Sequence, residues 1–193
     1  MFEQEITRYQ KLNRLAESNG VVIIGSGTDA SIPVGELKQA FYLKDNIYNR
    51  SFASLKASDG IKVYNSCVEE LCPDTVILHI GENDTENFDE HKKEFEISYR
   101  NLINDIRSSN KKRQIGIGPV KNVSSTAAEI NGLLKNIAKA ENCIFEDITT
   151  KNPGISHEDR ETLSMLCSLG FVSPLKAKHH IGNLVRVLFC SGI

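Results

Sequence analysis

The sequence lacks the charge and the long apolar runs that would point to nucleic acid or a membrane. Its 193 residues carry a formal net charge of only -2, which gives no electrostatic reason to expect nucleic acid or an anionic lipid surface as a partner. No apolar run approaches the roughly 20 residues of a membrane span, and the charged N-terminus has no apolar segment like that of a signal peptide. We therefore expect a cytoplasmic protein with neither nucleic acid nor membrane as a partner.

Cysteine and histidine are present, but not in patterns that bind metals. The five cysteines form no Cys-x-x-Cys pair, and the five histidines lack the spacing of zinc ligands. Thiols scattered in this way are more often buried apolar residues than ligands. We expect neither a metal site nor disulfide bonds.

What the sequence does contain is a regular alternation of short apolar strands with longer amphipathic helices. Strands are predicted at 21–24, 46–49, 75–80, 114–117 and 143–145. Helices are predicted at 2–18, 33–42, 59–70, 87–108 and 180–189, with another beginning near 126. Such alternation predicts an α/β protein with a parallel sheet between layers of helices. A chain of this length buries about 70% of its unfolded surface, so we expect one domain over residues 1–193.

Some helix starts and faces can be predicted in more detail. Asn87-x-x-Glu90 and Thr126-x-x-Glu129 have the form of capping boxes. Steps of three and four predict that one set of apolar residues in the first helix faces the sheet: Phe2, Ile6, Tyr9, Leu12, Leu15 and Ala16. The same spacing predicts one buried stripe on the long helix: Phe95, Tyr99, Leu102, Ile103 and Ile106.

Polar residues follow two of the predicted strands. One strand runs into Gly25-Ser26-Gly27, and another into Gly81-Glu82-Asn83-Asp84. Ligands of α/β proteins bind at the carboxyl ends of strands. A serine in a tight turn is a possible nucleophile, and an asparagine amide can contribute to an oxyanion hole. Alternatively, Ser26 caps the turn and Asn83 or Asp84 caps a helix, and these short motifs leave both interpretations open.

Three segments, in this order, resemble the sequence blocks of the SGNH or GDSL hydrolases. Residues 21–27 resemble the first block, residues 48–54 the second, and residues 73–84, an apolar strand followed by Gly-x-Asn-Asp, the third. The resemblance implies a three-layer α/β/α sandwich with a flavodoxin-like, five-stranded parallel sheet in the order 2-1-3-4-5. It also implies hydrolysis of a small ester or an acylated carbohydrate, without a metal or an organic cofactor.

Carrying the family's roles over residue by residue leaves several of them unfilled. The nucleophilic serine falls on Gly27, which has no side chain, and Ser26 stands just before it. The family's oxyanion hole combines the N–H of the serine, a backbone N–H of the second block and the asparagine of the third. These positions correspond to Gly27, Ser54 and Asn83, and Ser54 keeps a backbone N–H.

The last block, normally Asp-x-x-His, resembles residues 171–180. In that alignment the aspartate falls on Phe171 and the histidine on Pro174, and an alternative alignment places Ala177 at the histidine. The sequence therefore predicts a degenerate hydrolase with weak or no esterase activity. His79, between two apolar residues of the third strand, is expected to be a packed core residue.

Three alternatives remain. Ser26 could act as nucleophile with His179 or His180 as base, which would make the protein an active esterase. The site could instead be a non-catalytic pocket for a glycan or acyl group, formed by Asn83 and the polar Ser26, Ser51 and Ser54 at the strand ends. The other residues predicted to bind the ligand are Gly25, Gly27, Asp84 and Pro174. Finally, Gly25-x-Gly27-x-x-Ala30, together with Asn49-Arg50, fits a dinucleotide fingerprint.

Overall fold

A computed structural model describes residues 2–40, 46–120 and 124–145, and shows one parallel five-stranded sheet flanked by helices. The strands are β1 (Val21–Gly25), β2 (Ile47–Asn49), β3 (Thr75–His79), β4 (Gln114–Ile117) and β5 (Ile144–Phe145). The helices are α1 (Glu3–Asn13), α2 (Val34–Ala40), α3 (Gly60–Cys67), α4 (Phe88–Ser109) and α5 (Ser125–Ala140). The strand order β2-β1-β3-β4-β5 confirms the predicted α/β fold. The predicted helix at 180–189 lies outside the described residues.

The pairing of β1 with β3 determines where the polar turns emerge. All five residues of β1 are buried, as expected for an interior strand of a parallel sheet that is covered on both faces. The register runs from Val21 beside Thr75 to Gly25 beside His79. Both strands therefore end at the same level, and the turns that follow them start side by side.

The helices cover this sheet with the faces that the sequence predicts, except at one end of α1. The whole predicted stripe of α4 is buried. On α1, Ile6 and Tyr9 are buried, but Leu12 is 47% exposed and Leu15 is 85% exposed. The prediction for these two leucines was wrong: Asn13, and not Leu12, takes the buried position at the end of α1, and Leu15 lies beyond the end of that helix.

Both predicted capping boxes were wrong. Asn87 precedes α4 in a left-handed conformation with φ of 53°, and its side chain makes no capping hydrogen bond. Helix α5 starts before Thr126: Ser124 is extended, and its hydroxyl accepts a hydrogen bond of 3.1 Å from the N–H of Ala127. An N-cap residue is extended and has a side-chain oxygen that accepts from the first turn. Ser124 meets both conditions and precedes Thr126, so the helix begins before the predicted capping box.

We predict that Ser124→Ala lowers the free energy of unfolding by about 1 kcal/mol, because it removes the acceptor for the N–H of Ala127. Thr126→Ala is the matched control, since Thr126 lies inside the helix and should change stability by less than about 0.5 kcal/mol. Urea denaturation of the two variants measures the difference. Equal destabilisation by both would contradict this assignment of the cap.

Candidate functional site

The loop after β2 joins the two polar turns at the carboxyl ends of β1 and β3. Its Phe52 donates a backbone hydrogen bond of 3.0 Å to the carbonyl of Gly25. The hydroxyl of Ser51 accepts a 2.9 Å hydrogen bond from the N–H of Gly25. The structure therefore brings together the predicted site residues of all three sequence blocks: Gly25, Ser26, Gly27, Ser51, Ser54, Asn83 and Asp84. Pro174, His179 and His180 lie outside the described residues.

Gly27, the position that the resemblance assigns to the nucleophile, faces a carboxylate. It has a φ of 56°, a left-handed conformation in which a side chain is strained. A Cβ added to Gly27 would collide with Oε2 of Glu82, so a serine side chain here would have to displace that carboxylate. Sequence reasoning missed Glu82, although it occupies the variable position of the Gly-x-Asn-Asp motif.

Ser26, the residue before Gly27, is buried at the end of β1. The residue is 1% exposed, and its hydroxyl lies 3.3 Å from the carbonyl oxygen of His79, to which it donates. The N–H of Ser26 donates to the same carbonyl at 3.1 Å. In this arrangement Ser26 ties the end of β1 to the end of β3, and its nucleophilic role stays a prediction.

Two of the three donors that the resemblance assigns to the oxyanion hole, the N–H of Gly27 and the amide of Asn83, donate to groups within the protein. The N–H of Gly27 donates to the carbonyl of Ala53 at 2.9 Å. The side-chain amide of Asn83 donates to the carbonyls of Ala53 and Leu55, at 2.9 and 3.0 Å. An amide nitrogen has two hydrogens, and both are used here to hold the loop after β2. The oxyanion role of Asn83 stays a prediction.

Asp84 holds the same loop from the other side. Its carboxylate accepts from the N–H of Ala57, at 3.3 and 3.2 Å from its two oxygens. That N–H opens the 3₁₀ turn Ala57–Asp59, so Asp84 acts as a cap. Burial raises the pKa of Asp84 to about 6, while the Ala57 N–H and the Lys56 charge act in the opposite direction.

His79 is bonded through both ring nitrogens. Nε2 lies 2.7 Å from the carbonyl oxygen of Pro119, and Nδ1 contacts the buried carboxylate of Asp29. A carbonyl can only accept, so Nε2 carries a hydrogen and has no lone pair for a substrate proton. His79, the last residue of β3, and Asp29 thus connect the ends of β1, β3 and β4. No local pattern in the sequence predicts that pairing.

The geometry also bears on the dinucleotide hypothesis. Gly27 begins a 3₁₀ turn, Gly27–Ser31, and not the α-helix whose N-terminus a pyrophosphate requires. Arg50 is buried; its guanidinium donates to Asn13 and lies 5.0 Å from the centre of the Tyr9 ring. Arg50 therefore stabilises the contact with α1 and does not face a ribose.

Within residues 2–40, 46–120 and 124–145, no group of three or more histidine, cysteine, aspartate or glutamate side chains could hold a metal ion. In the same ranges, no helix is long and apolar enough to cross a membrane.

Comparisons with known proteins give matches in structure only. No protein-family model matches the sequence, and no curated protein matches it significantly. A solved structure described as a platelet activating factor from Streptococcus pneumonia aligns over 87% of this chain and 90% of its own, with a TM-score of 0.67 and 17% identity. Another, described as a GDSL-like lipase from Parabacteroides merdae, aligns over 80% of this chain and 97% of its own, with a TM-score of 0.59 and 14% identity.

A third match is a variant of an acetyl xylan esterase from Geobacillus stearothermophilus, covering 80% of this chain and 96% of that one, with a TM-score of 0.56 and 18% identity. The described sheet order and these alignments agree with each other. The chain has the α/β fold of the SGNH or GDSL hydrolases.

We predict that Gly27→Ala costs about 2 kcal/mol in the native chain and about 1 kcal/mol in a Glu82→Ala background. The first figure combines left-handed strain with displacement of the Glu82 carboxylate. The second contains only the strain, because the carboxylate is absent. Chemical denaturation of the four proteins of this double-mutant cycle gives the coupling. Gly132→Ala, where an added Cβ meets nothing within 4 Å, should behave identically in both backgrounds; an uncoupled Gly27→Ala would show that the carboxylate does not fill this place.

The raised pKa of Asp84 predicts a pH-dependent stability. The native state binds this proton more tightly than the unfolded chain, whose ordinary value is 3.8. The free energy of unfolding should therefore fall as pH rises from below 4 to above 6, by up to about 3 kcal/mol. Asp84→Asn should flatten this part of the curve while keeping an acceptor for Ala57, and Asp89→Asn, at an exposed position of α4, should leave it unchanged. Parallel native and Asp84→Asn curves between pH 4 and 7 would refute the assignment.

Proposed function

We propose that this protein keeps the SGNH hydrolase fold without serine-ester chemistry, and that it is a non-catalytic module for a carbohydrate or acyl ligand. The observation that carries the proposal is Gly27 facing Glu82. At the position where the resemblance implies a nucleophile, the chain has no side chain, and the space that a serine would use contains a carboxylate.

The neighbouring groups support the same conclusion. A nucleophile needs an accessible side chain and a base within hydrogen-bonding reach. The hydroxyl of Ser26 is buried and donates to a carbonyl, and the ring of His79 is engaged on both sides. Ser26 and His79 therefore do not have the geometry of a nucleophile paired with its base.

Residual catalysis by the remaining groups is also unfavourable. In serine proteases, removal of the triad leaves roughly 10³ to 10⁴ over water from the oxyanion hole and substrate binding. Here the N–H of Gly27 and the amide of Asn83 already donate to Ala53. We therefore expect ester hydrolysis at the background rate.

The strand-end position of the polar groups and the fold support the proposed ligand class. Polar groups at the carboxyl ends of β1 and β3 lie where open α/β sheets bind ligands. One structural neighbour is named as an acetyl xylan esterase, which makes acetylated xylo-oligosaccharides the first ligands to test on this chain.

We predict that a fluorophosphonate probe leaves the purified protein unlabelled, with mass spectrometry as the measurement and an active SGNH hydrolase labelled alongside. Acetate release from acetylated xylo-oligosaccharide should equal the rate without protein. An adduct on Ser26 that disappears in Ser26→Ala would overturn the proposal. It would support the competing hypothesis of an active esterase with His179 or His180 as base.

A further inference from the structure

Two leucines at the end of α1 are exposed next to each other. Leu12 is 47% exposed and Leu15 is 85% exposed. The N–H of Leu15 donates to the carbonyl of Leu12 at 3.0 Å, so the chain continues beyond α1 as a tight turn. Side chains three residues apart lie one above the other in such a turn. The two leucines therefore form one apolar surface, apart from the buried face of α1, which contains Ile6, Tyr9 and Asn13.

Hydrogen bonds to β2 and to α1 fix the backbone that carries Leu15. The phenol oxygen of Tyr48 accepts from the N–H of Glu17 and donates to the carbonyl of the same residue, with both distances at 3.0 Å. The N–H of Ala16 donates to the carbonyl of Asn13 at 3.1 Å, and Ala16 packs against the core. The exposure of Leu15 is therefore a consequence of how this turn is folded.

Three cations flank the two leucines. Residues 6–16 contain Arg8, Lys11 and Arg14 and no acidic residue, and all three basic residues are exposed. Residues four apart are neighbours on a helix surface, so Arg8 lies beside Leu12. By the same spacing, Lys11 lies beside Leu15. We call these five residues the leucine patch, and it contains three positive charges within a chain whose net charge is -2.

The cations of the leucine patch form no ion pair with any residue that the structure describes. Carboxylates of neighbouring segments bond to other groups instead. Glu70 accepts from the side-chain amide of Asn13, and Glu17 accepts from that of Asn46 at 2.9 Å. In the first turn of α1, Glu3 pairs with a lysine of α3 at 2.8 Å. The positive charges of the leucine patch are therefore available to a partner.

The exposure of the patch favours a lipid surface over a protein as that partner. A side chain with 85% of its surface exposed protrudes, so a protein would have to supply a pocket shaped for Leu15. A bilayer takes an apolar side chain among its acyl chains without such a pocket, and anionic headgroups attract the cations beside it. Lysine and arginine reach those headgroups while their apolar stems stay in apolar surroundings.

We propose that the leucine patch attaches this protein to an anionic lipid surface, with the two leucines among the acyl chains and the three cations on the headgroup phosphates. Such attachment lies on the membrane and needs no spanning helix. The net charge predicted no membrane partner because a sum over the whole chain conceals a local cluster.

The position of the patch leaves the candidate site free. The N–H of Asn19 donates to the carbonyl of Leu71, shortly before β3 begins. The end of α1 therefore leads to the amino ends of the strands, whereas the polar turns follow their carboxyl ends. Attachment through the leucine patch would keep those turns open to a ligand.

Co-sedimentation with vesicles tests the proposal. One set of vesicles is pure phosphatidylcholine, and the other contains equal parts of phosphatidylcholine and phosphatidylglycerol. We expect at least about tenfold stronger partitioning onto the anionic vesicles, since each cation near the surface adds about fivefold. Raising the salt from about 0.1 M to about 1 M should remove most of this difference, because the Debye length falls from about 10 Å to about 3 Å. Equal partitioning onto both sets, or none onto the anionic vesicles, would overturn the proposal.

A matched pair of variants assigns the apolar part of the binding. Leu15→Ala should lower partitioning onto the anionic vesicles about tenfold, because most of an apolar side chain is lost from the acyl chains. Ile97→Ala shortens a side chain that is 58% exposed on α4 and should leave partitioning unchanged. The same partitioning for Leu15→Ala as for the native protein would contradict the assignment.

A second pair assigns the electrostatic part. Lys11→Gln should lower partitioning about fivefold. Lys135→Gln, at an exposed position of α5, changes the net charge by the same amount outside the patch and should have no effect. Equal losses in the two variants would show that the net charge acts and not the patch.

Sedimentation velocity tests a second copy of this chain as the occupant of the patch. We expect a sedimentation coefficient that does not change with protein concentration. A dimer that forms as the concentration rises, and that is lost in Leu15→Ala, would assign the leucine patch to contact between two copies and would overturn the lipid proposal.

Discussion

The parallel register between β1 and β3 is the constraint on which the rest of the site depends. Because Gly25 pairs with His79, the two turns emerge together, and the loop after β2 can bond to both. Gly25 must lack a side chain, since a Cβ there would collide with Asp29. A slip of one residue would reverse which face each side chain of β3 occupies, and would separate His79 from Asp29 and Pro119.

Local patterns predicted the sheet and the helices, but not the orientation of single peptides. The apolar run of β1 and the stripe of α4 repeat over several residues, so their burial can be inferred from spacing alone. The conformation of Asn87, the N-cap of α5 at Ser124, and the direction of the Ala53 carbonyl each depend on φ and ψ at one position. Glu82 was missed because its relation to Gly27 arises only when β1 and β3 are paired.

The polar groups at the strand ends contribute to stability by bonding to one another. Buried polar groups are costly unless they are satisfied. Asn83 and Asp84 both hold the loop after β2, through Ala53, Leu55 and Ala57. In this chain, Asn83 and Asp84 of the motif that carries the resemblance therefore make structural hydrogen bonds.

The contact between Gly27 and Glu82 also restricts how this chain could change over evolutionary time. A mutation that introduced serine at position 27 would place a side chain against the carboxylate, in a backbone conformation that disfavours it. A mutation that removed the carboxylate would supply no nucleophile, and the Ala53 carbonyl would still be bonded by Gly27 and Asn83. Under the proposed function, serine chemistry at position 27 would therefore require two changes together, a new side chain at Gly27 and the loss of the Glu82 carboxylate.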